Sequence, residues 1–143
     1  SFYAKLQDKF LFAITGKTAS ELILERADAA KHNMGLTTTK GKLPTKADTT
    51  VGKNYLQRDE IYVLHILCEQ FLLYTESRAI RGKSMIMDDL ARKLDELLKT
   101  NDYAVFPGYR DFLKDRAMEH AAAEWKRFQK MLSDGTHLPP LPA

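Results

Sequence analysis

The sequence predicts an all-α fold, a single-domain helical bundle of about five helices around a buried central helix, residues 59–81. Three observations carry this. The stretch from Asp59 to Ile80, DEIYVLHILCEQFLLYTESRAI, repeats apolar residues every three or four positions on two faces at once. The flanking segments each show a single apolar stripe at the same spacing. No run alternates for long enough to build a sheet.

A helix that is apolar all round is buried in a larger protein or spans a membrane. Glu69 and Gln70 interrupt this one, and its apolar run falls well short of the roughly 20 residues that a bilayer requires. The buried reading follows. Asp59 and Glu60 stand at the positive end of the helix dipole, Arg78 and Arg81 at the negative end, and Gly82 is the expected left-handed cap.

In chain order, Tyr3, Leu6, Phe10 and Ala13 or Ile14 form a helical stripe, although Phe10-Leu11-Phe12 in a row is also compatible with a strand. Gly16 ends that element, and Thr18 with Glu21 makes a capping box for a second helix with Leu22, Ile23, Ala27 and Ala30 inside. Residues 31–56 break the periodicity. Gly35, Gly41, Pro44 and Gly52 punctuate them, and apolar residues such as Met34, Leu36, Leu43 and Val51 are sparse. This reads as a long irregular loop, with at most a short helical turn around Ala47–Val51. Ser84 caps a helix through Thr100, with Met87, Leu90, Leu94, Leu97 and Leu98 as its stripe, stopped by Asn101 and Asp102. A last helix runs from about Tyr109 to Leu132, with Leu113, Ala117, Ala121, Trp125, Phe128 and Leu132 on one side. Residues 1–132 form the domain, and the proline-rich segment 133–143 reads as a flexible tail.

With 143 residues, 44% of them hydrophobic and 29% charged, the chain is an ordinary globular domain. Its single cysteine, Cys68, excludes an internal disulfide, and a reducing cytoplasm is the expected compartment. There is no signal peptide pattern. A chain that begins at Ser1 rather than methionine reads as a piece of a longer protein. The net charge of +3 is concentrated: five lysines (Lys31, Lys40, Lys42, Lys46, Lys53) face one acid, Asp48, between residues 31 and 56. Such a local excess attracts phosphates or acidic protein surfaces.

Several chemistries have no signature here. His32, His65, His120 and His137 lack metal-ligand spacing, so no metal or cofactor is expected. There is no phosphate-binding loop, dinucleotide fingerprint or nucleophile elbow. Cys68 and His65 lie one turn apart and could pair on one face, but the reading preferred is a satisfied core histidine beside a packed thiol. Glu119-His120 reads as solvated surface.

One polar constellation spans the second helix and the loop: Glu25, Arg26, Asp28, Lys31, Asn33, Thr37, Lys40, Lys53, Asn54 and Tyr55. Asp28 and Lys31 are one turn apart, with Glu25 and His32 on the same face, while Gly35 and the threonine amides can grip an anion. As a functional site this is a carboxylate-and-lysine pocket for a phosphorylated ligand. As a structural one it satisfies the backbone of a long loop.

The same strings carry a resemblance. FYAKLQDKFLFAITGKTASELILERADAAKHNMGLTTTKGK and KADTTVGKNYL, with MIMDDLARKLDELL and AAAEWKRFQKML later, resemble the RhuM-type virulence protein family of bacteria over roughly Phe2 to Leu132. Asp8, Leu11 and Ser20 depart from residues common in that family (Asn, His and Ala). The resemblance implies a two-part cytoplasmic protein whose upstream part is similar to DNA-binding or phage antirepressor-like regions. It brings no reaction and no catalytic residues.

Two functions are therefore expected. The first is a regulatory or interaction domain that contacts nucleic acid or an acidic partner through the lysine-rich loop, with a homo-oligomer as one form of its assembly. The second is a toxin-like enzyme acting on phosphodiesters or nucleotides. Glu25 and Asp28 would serve as base or metal ligands, and Lys31, Lys40 and Lys53 would stabilise phosphate charge.

Overall fold

The computed structural model describes residues 2–82, 87–108 and 111–135. The fold is all-α. Helices α1 (Phe2–Thr15), α2 (Ala19–Arg26), α3 (Arg58–Ile80), α4 (Met87–Thr100) and α5 (Asp111–Ser133) are joined by 3-10 turns at His32–Gly35, Asp48–Thr50 and Gly52–Tyr55. No strand occurs among the described residues. The chain divides into two compact units: Ser1–Thr18 with Arg58–Gly108, and Ala19–Gln57 with Tyr109–Ala143.

In the first unit, Phe10 and Ala13 of α1, Leu67 and Phe71 of α3, and Leu94 and Leu98 of α4 share one core. Each buried Leu or Phe contributes about 1.5–3 kcal/mol, so these side chains hold the unit together. Phe10 meets Phe71 edge to face at 6.3 Å, and Lys9 Nζ reaches Asp95 Oδ1 at 2.8 Å. The Phe10-Leu11-Phe12 run is helical, because Phe10 and Leu11 both find core. Gly16 ends α1 as expected, at φ +71°, its N–H donating to the Phe12 carbonyl at 2.8 Å. Asp102 (φ +62°) closes α4 in the position usually given to glycine. Its own N–H donates to Lys99 O, and the N–H of Tyr103 donates to Leu98 O at 2.8 Å. The expected cap Ser84 lies outside the described residues.

Helix α3 lies within one residue of its expected bounds at each end and has the expected first-turn acids and left-handed Gly82 at φ +70°, but its expected all-round burial is corrected. Only Leu67 and Phe71 are buried, with Val63, Leu64 and Cys68 packed beside them. Tyr62, Ile66, Leu72, Leu73 and Ile80 are exposed. The physical reason is that α1 and α4 cover one face of α3, whereas its apolar residues fill two.

In the second unit, α2 packs along α5. Ile23 and Ala27 meet Ala117 and Ala121, together with Leu36 and Tyr55 from the segment between α2 and α3. Both α5 alanines are fully buried, so the two backbones approach closely. Ala29, Met34 and Phe128 form a second cluster, flanked by Trp125, Met131 and Leu132. The expected start of the last helix at Tyr109 lies outside the described residues, as do residues 136–143 of the expected tail.

Candidate functional site

The ten polar positions all belong to the second unit, and their placement starts from where α2 stops. The helix ends at Arg26, so the expectation that Glu25, Asp28, Lys31 and His32 share a helical face is corrected. The chain instead folds back. Asn33 (φ 48°), Met34 (φ 61°) and Gly35 (φ 85°) are three consecutive left-handed residues, an arrangement costly for side-chain-bearing residues and maintained by its surroundings. The return brings the Met34 carbonyl to the N–H of Asp28 at 3.1 Å and buries the Met34 side chain completely. Any side chain at Gly35 would stand inside the contact shell of the Arg26 carbonyl oxygen.

Beyond this hairpin, polar groups pair within the segment. Asp28 Oδ1 accepts the Ala30 N–H at 2.9 Å, and Arg26 Nη1 donates to the Tyr55 carbonyl at 3.0 Å. The N–H groups of Thr37 and Thr38 both donate to Asn54 O, at 2.8 and 3.3 Å. The Thr37 hydroxyl donates to the carbonyls of Asn54, at 3.0 Å, and Leu56. Of the amides expected to hold an anion, those of Thr37 and Thr38 therefore serve the chain itself. Asn54 Nδ2 donates to Asp48 O at 3.0 Å, and the buried Tyr55 hydroxyl donates to Thr49 O at 2.8 Å.

Asp48 is the acid at the centre of this arrangement. Its Oδ2 accepts the Thr45 N–H at 2.9 Å, while its own N–H donates to Thr45 Oγ1 at 3.2 Å, a reciprocal cap on the 48–50 turn. The Thr45 N–H holds the carboxyl below its usual range, against the opposing effect of burial, and the Lys40 N–H and ammonium act in the same sense as Thr45. Burial pushes the Tyr55 phenol well above its ordinary range, and the Asp48 charge adds to the shift.

The lysines behave differently. Lys31, Lys40, Lys42, Lys46 and Lys53 are all exposed, and so is Glu25, whereas Asp48 is only 4% exposed. Among the described residues, no group of three or more His, Cys, Asp or Glu side chains is placed to hold a metal ion.

A model of the Virulence protein RhuM family matches residues 1–135. The chain belongs to that family. No curated protein and no solved structure matches it significantly. Within this RhuM-family chain, the strings ERAD, NMGLT and KNYL build the hairpin and its hydrogen-bonded closure: Arg26 to Tyr55, Asp28 to Met34, and Thr37 to Asn54. No helix among the described residues is long and apolar enough to cross a membrane.

Three participants were not legible as such. Asp48 was visible only as the lone acid, although Thr45-x-x-Asp48 is a capping-box spacing. Glu124 interrupts the apolar stripe of α5 and is buried, its Oε1 accepting the Ala29 N–H at 3.1 Å. His120, read as solvated surface, is half-buried, with Nε2 2.8 Å from the Ala27 carbonyl oxygen. That oxygen can only accept, so Nε2 carries the proton.

Proposed function

We propose that this RhuM-family chain is a non-catalytic interaction domain whose segment 31–56 presents a fixed lysine surface to a nucleic-acid partner. The observation that carries the reading is the division of charge in that segment: five lysines are exposed while its one carboxylate is buried and engaged by backbone N–H groups. A polar network that ties the backbone down while leaving cations outside suits a phosphate backbone, which rewards positive charge with counterion release. In this reading the protein is cytoplasmic and DNA-associated, with a DNA-binding-like part upstream. The enzyme reading has less support, because Asp28 Oδ1 already accepts a backbone N–H and Glu25 lies on the exposed side of a helix that stops one residue later.

The test is fluorescence anisotropy with labelled duplex DNA and single-stranded RNA, on the wild-type chain and on one with all five lysines changed to Gln. Binding by the wild type that weakens at least tenfold in the variant supports the proposal. Equal binding by the two, or none by either, contradicts it.

A further inference from the structure

The exposed face of α3 has an order of its own. Tyr62, Ile66, Glu69, Leu73, Glu76 and Ile80 follow one another at alternating spacings of four and three residues, the repeat of a coiled-coil seam. Tyr62 is 68%, Leu73 60% and Ile80 85% exposed, with Ile66 and Leu72 exposed alongside them. Large apolar side chains gathered on one exposed helix face mark an interaction surface, unlike scattered single ones.

We propose that this face pairs antiparallel with α3 of a second copy of the chain. The charges on the helix select both the occupant and its direction. A parallel pair would set Glu69 against Glu69 and Glu76 against Glu76 within the seam, like charges facing each other. Turning one helix around so that Tyr62 meets the partner subunit's Ile80 places each Glu across from an apolar residue, Glu69 opposite Leu73 and Glu76 opposite Ile66. Their methylene groups pack there while the carboxylates reach solvent.

The flanks then match. Asp59 and Arg81 lie on one edge of the seam, near its opposite ends, so each faces the other's counterpart across the pair. His65, on the other edge, falls beside the solvent-reaching carboxylate of the partner subunit's Glu76. The helix dipoles also oppose. One helix face makes a small interface, so association is expected at micromolar concentration.

This proposal is independent of the lysine surface, which belongs to the other unit. It is tested by sedimentation velocity of the full chain over a concentration series, beside a Leu73→Asp variant whose helicity is checked by circular dichroism. The wild type is expected to move from monomer to dimer, and Leu73→Asp to stay monomeric at the highest concentration with helicity unchanged. Direction is read by mixing two single-cysteine variants, Tyr62→Cys and Ile80→Cys, each in a Cys68→Ala background. The antiparallel pair gives a mixed 62–80 disulfide. A monomer at every concentration, whatever else then covers the face, overturns the proposal. So does a dimer that Leu73→Asp leaves intact, or cross-linking of position 62 only to itself.

Discussion

The carboxylate of Glu124, set into the apolar stripe of α5, accepts the backbone N–H of Ala29 at 3.1 Å. Ala29 is fully buried just beyond the end of α2, where a backbone donor no longer has a helical acceptor. The exposed Arg127 guanidinium, 3.0 Å from Oε2, supplies a weak outer partner.

Glu124→Ala should cost about 1–3 kcal/mol, because it leaves the Ala29 N–H unpaired in the interior. Glu124→Gln retains an acceptor and should cost less. Urea unfolding of the two variants checks the order, and equal losses would mean that charge rather than the hydrogen bond matters.

Gly35→Ala should destabilise by more than about 2 kcal/mol, since it adds left-handed strain to a collision with the Arg26 carbonyl. Gly52→Ala should also destabilise, its new Cβ falling 2.8 Å from Ala19. Gly41→Ala meets nothing within 4 Å and should change stability by less than about 1 kcal/mol. Thermal melts of the three separate a hairpin that requires glycine from a loop that tolerates it.

Asp48 has a folded pKa below its unfolded value. Its contribution to stability is therefore complete above the usual carboxylate range near pH 4 and is lost as pH falls through the lowered folded value. Asp48→Asn should remove part of that acid sensitivity, seen as a shallower decline of the urea midpoint below about pH 4.

Tyr55 has the opposite sign. Its folded pKa is raised, so its contribution is complete below the unfolded value near 10 and is lost as pH rises beyond it. Tyr55→Phe should cost about 1 kcal/mol at neutral pH through the lost bond to Thr49 O, and should blunt alkaline unfolding above about pH 10.

The helices were readable because their apolar residues recur at helical spacing, and Gly16 and Gly82 marked two ends where the left-handed caps now stand. Periodicity could not say that one apolar face of α3 stays uncovered, because Tyr62 and Leu67 look alike as hydrophobic residues. Segment 31–56 looked irregular for a related reason. Its order comes from backbone hydrogen bonds between Thr37 and Asn54 and from left-handed residues at Asn33 and Met34, neither of which leaves a hydropathy pattern. The candidate polar residues were singled out, but their partners were not. Arg26 bonds a carbonyl 29 positions away, which no local spacing rule encodes.

The most direct test of the lysine surface is the salt dependence of duplex DNA binding, compared between the wild-type chain and Lys→Gln variants taken one at a time. If these side chains contact phosphates, log K against log salt is steep and each substitution at a contacting lysine lowers the slope by about 0.9. A wild-type slope near zero, or slopes that no lysine substitution changes, would contradict the account.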